Sequence, residues 1–279
     1  MIRIAILDLY EGHPNQGMRC IRELVKQWGQ SAQLDVILDE FDVRQKLEVP
    51  DMSYDVYFSS GGPGSPLESE GSEWEARYFS WLNQVEDWNN DPLHQNKKSV
   101  LFICHSFQLA CRHYKIGHLN KRKSTSFGVY PVHVTWEGQQ DPVFQGLNDP
   151  FYVVDSRDYQ VVHPEFDLID AMGAKILCIE KYRPHVPYAQ AIMAMRFNQY
   201  MIGTQFHPEA DAIGMSLHLQ TEERKKVVIE NHGEEKWRSM VEQLNDPDKI
   251  LYTHDHVIPN FLNQALQFCN VLVEAGSRE

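Results

Sequence analysis

The sequence predicts an α/β fold in which an open, mostly parallel sheet carries helices on both faces, giving three layers. Short, nearly continuous apolar segments alternate with segments of helical periodicity along the first part of the chain. Two of those apolar segments end directly in a glycine-rich turn or in a cysteine followed by a helix pattern. A length of 279 residues suits one such sheet with an extension better than two full domains.

The elements of the first half follow from hydrophobic periodicity. Continuous apolar runs predict strands buried on both faces, and apolar residues at Met18, Ile21, Leu24 and Val25 predict the first helix. The predicted order is strand 3–9, helix 16–28, strand 34–40, strand 54–60, helix 73–88, strand 99–104 and a helix from residue 105. Such alternation is typical of a parallel sheet covered by helices.

The second half differs, because short strands separated by turns follow one another directly. These strands are predicted at residues 127–136, 151–156, 174–182, 190–197 and 199–206. The turn at Asn198 and Gln199 predicts a hairpin between the last two. After Ala212 the chain becomes helical and highly charged. The sequence therefore predicts a core domain at residues 1–214 and, at residues 215–279, a helical C-terminal extension that packs on the core.

The composition argues against several classes of function. A net charge of −13 disfavours an extended nucleic-acid surface, and the basic run at residues 119–125 is expected to be a solvated loop. No apolar segment approaches the roughly 20 residues of a membrane span. The five cysteines form no CxxC pair, which argues against a disulfide framework or a zinc site. The sequence favours a cytoplasmic protein with reduced thiols.

No metal ion or cofactor is expected. His254, Asp255 and His256 offer two imidazoles at alternate positions, but no third ligand accompanies them. A solvated polar turn is therefore favoured over a metal site for this cluster.

Cys104 is the candidate nucleophile, because it stands between an apolar strand and a helix start. A tight turn there exposes the side chain, and the helix dipole favours the thiolate. The backbone N–H of His105 is then placed to donate to an oxyanion. Small residues are favoured two positions before and after the nucleophile, which Ser106 satisfies and Phe102 does not. A buried structural cysteine is the competing interpretation.

The glycine-rich turn at residues 61–66 supplies a second candidate donor. It follows a predicted parallel strand, so its backbone N–H groups face the carboxyl edge of the sheet, where ligands bind. We expect the N–H of Gly62 to complete an oxyanion hole and Gly61 to contact substrate. A plain Pro-Gly turn is the alternative. The turn lacks the trailing Gly-Lys-Ser/Thr of a phosphate loop.

The tripeptide His-Pro-Glu occurs twice, and each copy is a candidate base with its orienting carboxylate. In extended backbone, residues two apart point to the same side. His207 and Glu209 end a strong strand late in the sheet, which predicts a position near Cys104. His163 and Glu165 lead from a polar segment into another element, so a surface turn is favoured there.

The motifs "GGPGSP", "FICHSFQLA" and "GTQFHPEA" occur in one order, and through them residues 2–211 resemble class I glutamine amidotransferases. The resemblance implies a flavodoxin-like sheet with a Cys-His-Glu triad at Cys104, His207 and Glu209. It also implies hydrolysis of glutamine or a γ-glutamyl amide through a thioester. Phe102 and Ser106 depart from the family's elbow, where glycines are usual.

The departures at the elbow, together with Ser156-Arg157 and Asp211, are similar to homoserine O-acyltransferases, so acyl transfer from an acyl-CoA is an alternative. A catalytically inactive binding or scaffold protein on the same fold is a second alternative. Gln108 and Arg157 are candidate substrate-binding residues, although an ion pair of Arg157 with Asp155 or Asp158 is equally favoured.

The partner that the resemblance implies is a small-molecule donor, glutamine or a related amide. A separate synthetase subunit would accept ammonia, and a homodimer is left open. No nucleic acid and no membrane is expected as a partner.

Overall fold

The computed structural model describes residues 1–185, 188–244, 246 and 249–269. Five parallel strands form the first half of its sheet, namely β1 (Ile2–Asp8), β2 (Val36–Asp42), β3 (Val56–Ser59), β4 (Ser99–Ile103) and β9 (Met201–Thr204). They lie in the order β2-β1-β3-β4-β9. Because parallel strands share their carboxyl edge, the loops after β1, β3, β4 and β9 lie side by side.

The second half of the sheet is antiparallel. It consists of β5 (His118–Val134), β6 (Phe151–Val162), β7 (Lys175–Glu180) and β8 (Ile192–Arg196), in the order β9-β8-β7-β5-β6. The predicted α/β fold is confirmed, and the sheet is a mixed one. The hairpin predicted at Asn198 and Gln199 joins β8 to β9, so it changes the strand direction at the centre of the sheet.

The basic run at residues 119–125 is not the expected loop. It belongs to the first part of β5, where Leu119 pairs with Val161 and Lys121 with Tyr159 before an irregularity in register. The pairing partner lies about forty residues further along the chain, so the polar composition of the run gave no sign of it.

Two helical layers cover the sheet. Apolar residues of α1 (Gln16–Ser31) and α9 (Ile250–Phe268) pack on one face, and those of α2 (Glu73–Asn90) and α3 (His105–His113) pack on the other. Helix α1 begins where the Asn15 side chain accepts a hydrogen bond from the Met18 N–H at 2.8 Å, which is a typical N-cap.

Shorter helices lie outside these layers. They are α4 (Trp136–Gln139), α5 (Phe166–Met172), α6 (Ala212–Leu219), α7 (Glu222–His232) and α8 (Glu234–Leu244), with a short 3-10 turn at Pro142–Phe144. Helices α6 to α8 form a separate apolar cluster with β5 and β6, in which Met215, Leu219 and Met240 meet Phe127 and Val154.

The predicted C-terminal extension thus has two different parts. Helices α6 to α8 pack at the antiparallel end, whereas α9 returns to the main core, where the Phe261 ring lies 5.6 Å from the ring of Phe58. The boundary between a core domain ending at residue 214 and an extension starting at residue 215 stays a prediction. Among the described residues, no helix is long and apolar enough to cross a bilayer.

If α9 belongs to the core, Phe261→Ala should lower the free energy of unfolding by about 3–5 kcal/mol, because it removes a buried ring and leaves a cavity. Leu251→Ala, at a half-exposed position of the same helix, is the matched control and should change it by about 0.5 kcal/mol or less. Urea unfolding followed by circular dichroism measures both. Equal effects of the two substitutions would contradict the assignment of α9 to the core.

Candidate functional site

Cys104 stands at the junction of β4 and α3 with a φ of 50° and a ψ of −96°. A positive φ is strained for a residue with a side chain, so neighbouring groups must hold it. The Cys104 N–H donates to the Thr204 carbonyl of β9 at 2.7 Å, and its carbonyl accepts from the Gln108 N–H at 3.1 Å. The turn is therefore fixed from the next strand and from the first turn of α3.

The bulky Phe102 is accommodated by a glycine on the neighbouring strand. Its ring packs with the α2 and α3 layer and lies 5.6 Å from the Phe197 ring. A β-carbon at Gly203 would lie 3.3 Å from the β-carbon of Phe102 and 2.6 Å from a ring carbon of Phe107. The space that glycine usually provides within the elbow is thus provided here by β9.

Ser106 connects the elbow to the end of β3. Its buried hydroxyl donates to the Ser59 carbonyl at 2.6 Å and accepts from the Ile103 N–H at 2.8 Å. The second departure from glycine therefore adds a hydrogen bond between the candidate nucleophile's turn and the strand that precedes the glycine-rich loop.

Ser60 orients the glycine-rich loop. Its hydroxyl accepts from the Leu9 N–H at 2.9 Å and donates to the Gly61 carbonyl at 2.8 Å. In a trans peptide the carbonyl and the following N–H point in opposite directions. The N–H of Gly62 consequently points away from Ser60, as a donor for a ligand at the sheet edge must.

The two glycines of this loop allow close approaches that a side chain would block. A β-carbon at Gly62 would lie 2.5 Å from the Leu9 carbonyl oxygen, and one at Gly61 would lie 2.9 Å from the Tyr10 hydroxyl and 3.0 Å from His207 Cε1. Gly61 thus faces the second histidine motif. Burial, followed by the charges of Glu209 and Cys104, raises the pKa of Tyr10, which places its phenol in the same site.

Arg44 joins the glycine-rich loop to the start of α3. It donates to the Pro63 carbonyl at 2.8 Å and lies 2.7 Å from Nε2 of His105. Burial, then the charges of Arg44 and Arg112, lower the pKa of His105 to about 3, so its ring is neutral. Because the N–H of His105 opens α3, it has no acceptor within the helix and is available to a ligand.

His207 and Glu209 meet as the sequence predicts. His207 Nδ1 lies 2.8 Å from Glu209 Oε1, and the His207 backbone is held by its N–H to the Val154 carbonyl at 2.9 Å. Burial alone would lower the pKa of His207, but the charges of Glu209 and Cys104, with hydrogen bonds to both, raise it well above its usual value. Nδ1 therefore donates to the carboxylate, which leaves Nε2 for the thiol side.

Two further groups border the Cys104 sulfur. Sγ lies 3.6 Å from the Ser156 carbonyl and 3.8 Å from Nε2 of Gln205. Gln108 donates to Oε1 of Gln205 at 3.0 Å and to the Tyr159 carbonyl at 3.0 Å, so it stands behind Gln205 rather than beside the sulfur. Gln205 was not predicted, although its position two residues before His207 on the same segment was a usable signal.

Arg157 does not face the sulfur. Its buried side chain pairs with Asp155 at 3.0 Å and with Glu180 at 3.5 Å. These contacts favour the ion-pair interpretation, with a buried pair in place of a surface one, over a substrate clamp. Ser60, Tyr10 and Arg44 are further members of the region that the sequence did not reveal, because their roles depend on tertiary contacts.

The remaining polar motifs lie elsewhere. His163 and Glu165 form an exposed turn before α5, as expected, with Glu165 3.2 Å from His118. His254 and its neighbours lie within α9, so the expected polar turn is wrong at that point. Among the described residues, no three His, Cys, Asp or Glu side chains are grouped as a metal site requires.

Comparisons with known proteins address the family and the fold of the chain. A family model described as glutamine amidotransferase class-I matches residues 18–219. A comparison with the sequences of curated proteins found no significant match.

Among solved structures, a glutamine amidotransferase from Thermotoga maritima has a TM-score of 0.64 at 15% identity, covering 95% of this chain and 98% of its own. The glutaminase domain of CTPS from Trypanosoma brucei, with bound acivicin, has a TM-score of 0.59 at 12% identity, with coverages of 96% and 94%. A glutamine amido transferase from Methylobacillus flagellatus has a TM-score of 0.57 at 13% identity, with the same coverages. These TM-scores establish a shared fold. The similarity to homoserine O-acyltransferases stays a prediction.

The contact between His207 and Glu209 gives a testable pH dependence. Glu209→Gln removes the carboxylate charge while burial remains, so the pKa of His207 should fall from its raised value, as measured by NMR titration of the ring. Glu165→Gln, in the exposed copy of the tripeptide, is the matched control and should leave the titration of His207 unchanged.

The same pair links stability to pH. Because the folded-state pKa of His207 lies above the unfolded value of about 6.5, its contribution to stability is complete below that pH and is lost as pH rises through the folded pKa. The stability difference between the unsubstituted protein and Glu209→Gln should therefore narrow at high pH in urea unfolding. A difference that is constant across this range would contradict the assigned cause.

Proposed function

Because the chain belongs to the class I glutamine amidotransferase family, we propose that it hydrolyses glutamine or a related γ-glutamyl amide through a thioester on Cys104. The observation that carries the proposal is the convergence of three groups at one sheet edge. The Cys104 side chain leaves a strained turn, and its charge and hydrogen bond raise the pKa of a histidine that Glu209 orients.

The chemistry that we propose has two steps. The Cys104 thiolate attacks the amide carbon, and the N–H groups of His105 and Gly62 stabilise the oxyanion. Protonated His207 gives its proton to the departing ammonia, which leaves a thioester and a neutral imidazole. His207 then removes a proton from water as the water attacks the thioester, and the collapse of the second oxyanion returns the thiolate and releases the acid.

Glu209 orients His207 throughout and stabilises its imidazolium. Its side chain is only 1% exposed, so water screens the pair little. Gly61, Ser156 and Gln205 border the sulfur or the histidine and are the residues that we propose to contact the amide. Gln108 acts through Gln205, and the contacts of Arg157 do not support a role for it in binding glutamine.

The ammonia would be released or passed to a separate synthetase subunit. The Trypanosoma brucei relative is described as the glutaminase domain of CTPS, which supports a synthetase as the class of partner. A homodimer and a cytoplasmic location stay predictions.

The proposal is tested by measuring intact-protein mass after incubation with a glutamine-mimicking diazoketone. We expect one adduct, blocked by excess L-glutamine and lost in Cys104→Ala. Cys20→Ala is the matched control and keeps the adduct, because burial above all raises the pKa of Cys20 to about 12. No adduct on a protein whose Cys104 still reacts with iodoacetamide would contradict glutamine as the donor type.

The orientation of the loop gives a second test. Ser60→Ala frees the Gly61 carbonyl and so lets the Gly62 N–H turn away from the oxyanion position. We expect kcat for glutamine hydrolysis to fall by about 10²-fold, the usual effect of losing one oxyanion donor, with little change in KM. Ser53→Ala, at an exposed position before β3, is the control. A rise in KM with unchanged kcat would show that Ser60 does not position the donor.

A further inference from the structure

A buried arginine contacts both segments that supply the candidate oxyanion donors. Arg44 belongs to the turn after β2, and its side chain is only 7% exposed. One terminal nitrogen lies 2.7 Å from Nε2 of His105, and the other donates to the Pro63 carbonyl at 2.8 Å. The guanidinium carbon also lies 4.9 Å from the centre of the Trp74 ring. A single side chain thus connects the start of α3 to the glycine-rich loop.

The contact with Arg44 determines which nitrogen of the His105 ring carries the proton. A guanidinium group stays protonated and has only N–H donors, so a nitrogen that faces it must accept. Nε2 of His105 therefore carries a lone pair, and the ring proton lies on Nδ1. Burial, then the charges of Arg44 and Arg112, lower the pKa of His105 to about 3, so the ring gains no second proton near neutral pH. The ring is a neutral link between the guanidinium and the first residue of α3.

The charge of Arg44 is poorly compensated. Glu11 Oε2 lies 3.6 Å from Nη1 of Arg44, but the Glu11 side chain is 53% exposed, so water screens this carboxylate. Burial lowers the pKa of Arg44, although the charges of Glu11 and Asp8 raise it. The nearby carboxylates therefore do not offset the cost of burying this cation, and further negative charge close to it is favoured.

We propose that Arg44 is a positioning residue for the oxyanion hole at Cys104, acting through the His105 ring and the Pro63 carbonyl. Its two hydrogen bonds restrict the movement of the segments that carry the His105 and Gly62 N–H groups. Its charge is in place before the reaction and favours the negative charge that develops on the substrate oxygen. This role rests on the proposed function, whereas the position of the His105 proton does not.

The position of that proton is tested by nitrogen NMR of the His105 ring. We expect a neutral ring with its proton on Nδ1 in the unsubstituted protein. In Arg44→Met the pKa of His105 should rise, because one of the two cations that lower it is removed. Arg22→Met is the matched control, since Arg22 is about half-exposed and pairs with Glu40 of β2. A proton on Nε2, or an unchanged pKa in Arg44→Met, would overturn the link through His105.

The positioning role is tested by the kinetics of glutamine hydrolysis. Loss of a direct oxyanion donor costs about 10²–10³-fold, and Arg44 acts at one remove, so kcat should fall about tenfold in Arg44→Met with little change in KM. Arg44→Lys keeps the charge and N–H donors and should recover part of that loss. Arg22→Met should match the unsubstituted protein. A raised KM with unchanged kcat, or a Lys variant as slow as the Met variant, would overturn the role.

A second substrate separates this role from the choice of glutamine as the donor. p-Nitrophenyl acetate acylates a thiolate through an oxyanion at its carbonyl, and released p-nitrophenolate reports the part of the reaction that is absent in Cys104→Ala. Cleavage of this ester without glutamine hydrolysis would contradict the proposed function alone, and Arg44→Met should still slow it about tenfold. An equal rate in Arg44→Met would overturn the role of Arg44. No reaction of Cys104 with either substrate would overturn both.

Discussion

The candidate site depends on one constraint, the left-handed backbone of Cys104. Such a conformation costs on the order of 1–3 kcal/mol for a residue with a side chain, and the surroundings must offset it. Three elements do so here. Thr204 of β9 accepts from the Cys104 N–H, Gln108 of α3 donates to its carbonyl, and Ser106 ties the turn to the end of β3. Contacts from three elements thus hold the turn that presents the thiol.

At the Cys104 turn, the space that a small residue usually provides comes from a different strand. Phe102 occupies a place where a small residue is favoured. Residue 203 on the adjoining strand is a glycine, so no side chain there clashes with Phe102. The loop beyond β3 is held by charge as well as by glycine. Arg44 contacts both the Pro63 carbonyl and the ring of His105, and that ring stays neutral because it is buried between cations.

Local signals were sufficient for the fold class and for the meeting of His207 with Glu209. The two residues are two positions apart on extended backbone, so their side chains lie on the same side regardless of the rest of the chain. Non-local contacts were not predictable. The basic run before residue 126 gains strand structure only from β6, and the polar residues around His254 lie in a helix because α9 packs its opposite side on the core. Ser60 acts through a hydrogen bond with the Leu9 N–H, which belongs to a distant part of the chain, so its role does not show in a motif.

The position of β9 has a consequence for the order in which the protein can acquire its structure during synthesis. The hydrogen bond from the Cys104 N–H requires Thr204, about a hundred residues further along the chain, and β9 lies between β4 and the antiparallel strands. A nascent chain that has released only its N-terminal half from the ribosome therefore lacks the contact that holds the strained turn. The geometry of the candidate site therefore depends on a late, long-range contact, and incomplete chains carry Cys104 without the contact that holds its turn.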